Sequence, residues 1–262
     1  MNLLQRSLIE KTGYNFGFEY VLISNPDEVV IASARHPARA TVKYADSLYE
    51  VEISSTQTTL LIDELRRSFS AFRFAKEKFL IHDQDGLAQL LRRSAALAHV
   101  LPNQAAMDYQ QMLEKQLEEL SSETKGTEIE RLVRQRVGQQ SYRSAMMNYW
   151  GGCCSVTGIA VPEVLRASHA KPWSECSTDN ERLNVFNGFL LSANLDSLFD
   201  RFLITFCDSG NLLISSTINT QQCSLLGIDK PLKLRWIAEN HLVYLQYHRK
   251  RFNQCSEQTN HN

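Results

Sequence analysis

The pattern of apolar and polar positions changes character along the chain. Between residues 14 and 61, the short β-rich runs FGFEYVLI, EVVIASA, ATVKYA and LYEVEI alternate with the polar segments NPDE, RHPAR and ADS. That rhythm predicts strands joined by turns. TLLIDELRRSFSAF then carries apolar residues at helical spacing with charges on the opposite face. EKFLIHD reads as a further strand and GLAQLLRRSAALAHVL as a helix, with Pro102-Asn103 as a helix stop and restart. The expectation is an α+β domain over 1–101.

The second half reads differently. Gln104 to Leu120 is a charged amphipathic helix, and the polar SSETKGTE (121–128), with Gly126, is a linker candidate. A helix from about Glu128 to Tyr149 brings Arg131, Arg134, Arg136 and Arg143 together. These arginines suit a solvated helix face or a polyanion. A helix-like PEVLRA, a polar loop SECSTDNERLN, a β-like FLL and a helical ANLDSLFD follow. LITF and NLLIS read as a hairpin around DSG. A helix is expected over 232–248, packed back on the preceding elements, and the polar NQCSEQTNHN from Asn253 should fray. The organisation predicted is therefore an α+β domain (1–101), a helical connector (102–137), a second domain (138–252) and a tail (253–262). No internal repeat is visible.

Composition narrows the classes. Hydrophobic residues at 43% and charged residues at 22% describe an ordinary globular protein. A net charge of −1 means that any nucleic-acid site must be a local basic patch. No apolar run approaches the roughly 18 residues of a membrane helix. Glu10 and Lys11 fall where a signal peptide needs an uninterrupted apolar core, so a cytoplasmic protein is expected. All six cysteines, Cys153, Cys154, Cys176, Cys207, Cys223 and Cys255, lie in the C-terminal half without a Cys-x-x-Cys pair. Reduced thiols are expected, and not a zinc knuckle or disulfides.

Candidate chemistry gathers between Gly138 and Ser215. Asp196 and Asp200 are four residues apart on a predicted helix, which puts both carboxylates on one face. A hard divalent cation would remove their repulsion. The same pair is also explained by a helix cap and a salt bridge to Arg201 or Arg182. His169 beside an apolar strand and Asn187 before Gly188 are each as well explained by structure as by catalysis.

Taken together and in order, these segments resemble the HNH nuclease family, built on the ββα-metal motif. The resemblance rests on Gly138 to Arg143 (GQQSYR), Cys154 to Gly158 (CSVTG), Ser168 to Trp173 (SHAKPW), Asn187 to Leu191 (NGFLL) and Leu195 to Asp200 (LDSLFD). It implies a metal-dependent DNA endonuclease. The family's general base falls on His169, whose imidazole can take a proton from water near neutral pH. Its Asn falls on Asn187, which would hold the base or its loop in place. The metal-binding helix position falls on Asp196, and Asp200 one turn later supplies a ligand in some relatives. Two departures move the site toward oxygen ligands and so toward Mg²⁺ or Mn²⁺. The residue before the base is Ser168, a weak neutral candidate ligand for the metal, where the wider family often has a metal-binding Asp or His, and the helix ligand is a carboxylate. Arg143, Arg166 and Lys171 are positioned to clamp DNA phosphates. Tyr142 and Trp173 read as packing residues, and His248, Arg249, Lys250 and Arg251 as a further cluster for backbone contact or for solvent.

The resemblance leaves the N-terminal part unassigned. A restriction or defence enzyme would use it to select the target, and double-strand cutting by sites that each nick one strand would call for a homodimer. A catalytically inactive nucleic-acid-binding module on the same fold is the alternative, though it predicts a broken base or Asn, and both residues are present. A protein whose main role lies in the N-terminal part is the third.

Overall fold

The computed structural model describes residues 1–56, 58–101, 104–118 and 127–259, and it divides into two compact units, Met1–Gln104 and Ala105–Asn262. Pro102-Asn103 and most of the expected linker 121–128 lie outside the described residues. Secondary structure is mixed in the α+β manner.

The first unit runs α1 (Leu3–Asn15), β1 (Tyr20–Ser24), β2 (Val29–Ala32), β3 (Arg39–Ala45), β4 (Leu48–Ser54), α2 (Thr58–Ser68), β5 (Arg73–Ala75), β6 (Lys78–Ile81) and α3 (Gln84–Val100). The strands form an antiparallel sheet in the order β1-β2-β3-β4-β6-β5. Period-two alternation buries Ala40 and Val42 on β3, and Tyr49, Val51 and Ile53 on β4. Contacts of α1 with β2, and of α2 with β4, cover the sheet. Two elements were not anticipated. Helix α1 buries only Ile9, Thr12 and Gly13, so its apolar pattern is faint, and an Asn2–Gln5 capping box starts it. Strand β5 is three residues long, too short for alternation to announce it.

The polar turn RHPAR proves structural. His36 is buried with Nε2 hydrogen-bonded to the Gly17 carbonyl, while Arg35 and Lys43 pair with Glu19 and Glu28.

The second unit contains α4 (Gln104–Glu118), α5 (Thr127–Tyr149), β7 (Leu165–His169), α6 (Asp179–Arg182), β8 (Gly188–Ser192), α7 (Ala193–Phe199), β9 (Ile204–Phe206), β10 (Leu212–Ile214), α8 (Thr220–Leu225) and α9 (Glu239–Thr259). Strands β7 and β8 form one antiparallel pair, and β9 and β10 another. Helices α5 and α7 pack on the β7–β8 pair. Every residue of β8 is buried, and Phe189, Leu190 and Leu191 have no exposure at all. Burial of each such side chain contributes about 2 kcal/mol, so this pair is the rigid floor on which the second unit is built.

The structure corrects several boundaries. Helix α5 passes unbroken through Gly138, so the expected domain start at 138 lies inside a helix, and the division between units falls at Gln104. PEVLRA is a single 3₁₀ turn, Pro162–Val164, leading directly into β7. The expected helix 232–248 begins only at Glu239. Residues 234 and 235 instead lie outside any helix, donating from Leu234 N to the Gly210 carbonyl and from Arg235 N to the Ser155 carbonyl. Helix α9 then continues to Thr259 through the segment expected to fray. Its buried His241, Leu245, His248 and Phe252 recur at three- and four-residue spacing, which seats one face on the unit. All six cysteines are free thiols.

Candidate active site

His169 ends β7, opposite Gly188 at the start of β8. That register is possible only because residue 188 is glycine. Its φ is +151°, and a Cβ there would sit 1.9 Å from the Ser168 carbonyl oxygen. The His169 ring stacks on Tyr142 of α5 at 3.8 Å between centroids and meets Trp173 edge-on. Tyr142 is fully buried, and its hydroxyl donates to the Asn187 carbonyl.

His169 Nε2 lies 2.8 Å from the Arg182 carbonyl oxygen. A carbonyl can only accept, so Nε2 carries the proton and Nδ1 keeps its lone pair. Nδ1 has no partner among the described residues. Burial pushes His169 down to about 4, against a raising contribution from the Arg182 carbonyl, so the ring is neutral at physiological pH.

The loop that supplies the Arg182 carbonyl is held by Asn187. The side chain of Asn187 is completely buried and bonded on both sides. Its Oδ1 accepts from Lys171 N at 2.8 Å, and its Nδ2 donates to the carbonyls of Glu181 at 3.2 Å and Lys171 at 3.3 Å. Lys171 Nζ is drawn to Glu181 Oε1 at 2.7 Å, which ties the two ends of the loop.

Asp196 lies in the first turn of α7 and Asp200 at its end. Both carboxyls line a cavity of 460 Å³ together with His169, Arg143, Arg166 and Gln139. Burial, and then the neighbouring Asp196 charge, push the Asp200 carboxyl up to about 6, with Arg201 opposing. Neither salt bridge considered for Asp200 forms: Arg182 pairs with Asp179, and Arg201 bonds the Ser197 carbonyl and hydroxyl. Among the described residues no cationic side chain pairs with Asp196 or Asp200. Two carboxylates without an ion-pair partner thus stand in the cavity wall, and such a pair of oxygen donors suits a hard divalent cation. Among the described residues no three His, Cys, Asp or Glu side chains converge as a ligand set. A cation held by this pair would complete its shell with water and phosphate oxygens.

Of the residues singled out from the sequence, His169, Asp196, Asp200, Arg143 and Arg166 reach the cavity. Ser168, Asn187 and Lys171 do not line it. Ser168 is 2% exposed and its hydroxyl donates to Asp196 Oδ1 at 2.5 Å, so it stands behind the carboxylate and orients it. The guanidinium of Arg143 is partly spent on the Leu165 and Pro162 carbonyls, and that of Arg166 on the Leu165 and Glu163 carbonyls. The C-terminal cluster is dispersed. His248 is buried, Arg249 bonds the Phe206 carbonyl and Asp208, and Arg251 lies over the Phe202 ring. His248 also lines the cavity, stacked at 3.8 Å on Phe199.

Sequence reasoning missed the Arg182 carbonyl, because a main-chain oxygen leaves no mark on residue identity. Tyr142 lay within a recognised block, and its burial decided its packing role. Among the described residues no helix is long and apolar enough to cross a membrane.

A search of curated proteins finds no match to the chain. Residues 154–207 match the family model of HNH endonucleases, a span that begins before β7 and carries His169, Asn187, Asp196 and Asp200. The two antiparallel strands followed by α7, with a histidine on the first strand and carboxylates on the helix, agree with that match, and residues 154–207 are thus similar to the HNH endonuclease family.

Proposed function

We propose that this protein is a DNA endonuclease that hydrolyses phosphodiester bonds with a divalent cation, Mg²⁺ or Mn²⁺, held at Asp196 and Asp200. The observation that carries the reading is the orientation of His169. Its Nε2–H is committed to the Arg182 carbonyl, leaving a neutral ring with an unengaged Nδ1 in the cavity that the two carboxylates line.

His169 Nδ1 takes the proton of a water whose oxygen attacks phosphorus, and the P–O3′ bond breaks, with the departing 3′ oxygen taking a proton from solvent. The Arg182 carbonyl holds the tautomer and favours the imidazolium that forms. Asn187 fixes the loop bearing that carbonyl, so it acts as a positioning residue. Ser168 orients Asp196, while Arg143 and Arg166 present the remaining N–H groups of their guanidinium forks to phosphate. A divalent cation, held by Asp196 and Asp200, would supply positive charge for the scissile phosphate and the leaving oxygen. The N-terminal unit, with its own sheet and core, selects the target, as in a restriction or defence enzyme.

Supercoiled plasmid incubated with Mg²⁺, Mn²⁺ or EDTA tests the reading. Wild-type protein with metal converts it to nicked or linear form, and His169→Ala and Asp196→Ala leave it intact. Binding without cleavage on plain, methylated and phage-derived DNA with every metal would instead establish an inactive binding module.

A further inference from the structure

The face of α5 that closes the catalytic cavity continues beyond it. Gln139 and Arg143 line that cavity, and toward the helix N-terminus Arg131, Arg134 and Gln135 line a second one of 510 Å³. Arg131, Gln135, Gln139 and Arg143 recur every fourth residue, so they share one face. At 1.5 Å per residue the stripe is about 18 Å long.

Trp173 is a wall of both cavities. Its indole lies so close to α5 that a Cβ on Gly138 would be 2.2 Å from its Cη2. The glycine therefore lets the ring sit low on the helix between the two cavities. A strand of nucleic acid can cross such a saddle, whereas any side chain at 138 would raise it into a barrier.

The charges of the second cavity suit an anion. Arg182 is paired with Asp179 at 2.9 Å, and Arg131 is paired with Glu128 at 2.7 Å. Arg134 has no carboxylate partner among the described residues. It is exposed, and the buried Tyr109 of α4 lines the same cavity.

We propose that the cavity at Arg134 is a phosphate subsite for the DNA strand leaving the catalytic cavity, so that the duplex lies along α5. This extends the endonuclease reading and rests on it. At 3.4 Å per base pair, the stripe spans about five steps, and Arg134 is the main contact at its far end. The polar face of α5 then reports the direction of the bound strand.

The test measures binding by His169→Ala protein to duplexes of about 30 base pairs and to duplexes ending within about two base pairs of the nick, over a range of salt. Adding Arg134→Glu should weaken the long duplex by roughly 10-fold, and adding Arg134→Gln by roughly 3-fold. The slope of log K against log salt should become shallower by about 0.9, the value for one phosphate that is no longer neutralised. The short duplex, which does not reach the subsite, should be unaffected. Equal thermal midpoints for the single and double variants exclude misfolding. Unchanged affinity and slope on the long duplex, with His169→Ala still binding it, would overturn the subsite alone. Equal weakening on both duplexes would overturn the track, because Arg134 would then be felt without a strand reaching it. Failure of wild-type protein to cleave or bind any DNA would overturn the endonuclease reading itself.

Discussion

At the scale of the residue, the proposed catalytic geometry is held from behind the cavity wall. Asn187 bonds three main-chain groups of the loop that presents the Arg182 carbonyl. Asn187→Ala strands a buried N–H and carbonyl groups, at a cost of about 2–4 kcal/mol by urea denaturation. It should also lower kcat by more than 10-fold at pH values where the protein remains folded, because the base loses its fixed tautomer. A normal kcat in a destabilised variant would remove the positioning role. The carboxylate pair behaves in the opposite way. Asp200 carries its charge beside Asp196 with its ordinary value raised, so ionisation destabilises the metal-free fold. Asp200→Asn should therefore raise stability in EDTA at pH 7.5, by no more than about 0.5–1 kcal/mol given solvent screening. Mg²⁺ should stabilise the wild type and not the variant. A variant less stable in EDTA would show that the two charges are not in conflict.

At the scale of the element, the strand pair and α9 set the site's shape. The β7–β8 crossing at His169 and Gly188 admits no side chain, and Gly188→Ala should cost about 3 kcal/mol or more, read as a lowered Tm. A Tm within a degree of wild type would mean the strands separate at no cost. Helix α9 is fastened by His248, whose Nε2 donates to the Phe199 carbonyl while Nδ1 accepts from Thr205. Burial holds His248 down to about 4, with the Phe199 carbonyl opposing and Arg249 adding slightly. The unfolded chain titrates near 6.5, so it takes up the proton first as pH falls. This contribution to stability is full above about 6.5 and is lost between there and about 4, by at most about 3 kcal/mol. His169 has the same sign. Denaturation of wild type and His248→Leu at pH 7 and pH 4.5 should show a shallower pH dependence in the variant. Parallel curves would mean that His248 is not buried neutral.

At the scale of the whole molecule, the two compact units suit the division of labour proposed above. A fragment of residues 105–262 should fold, nick plasmid and lose whatever target preference the full chain shows, measured by mapping cut sites. Retained preference would place selection in the second unit. Much of this organisation is visible in the chain itself. Alternation in ATVKYA and LYEVEI marks β3 and β4 because half-buried strands must present one apolar face, and the spacing of His169, Asn187, Asp196 and Asp200 marks the candidate site. Helix α1 escaped because it buries too few residues to create a period. The start of helix α9 was misplaced because LRWIA has an apolar pattern satisfied by pairing with loops distant in sequence. Local periodicity and residue chemistry thus determine element type and the identity of the candidate reactive groups, since both depend on neighbours along the chain. Only the tertiary structure decides which His169 nitrogen is free, that Ser168 and Asn187 act from behind the wall, and that Lys171 is spent on Glu181, because each depends on partners that folding alone brings within hydrogen-bond reach.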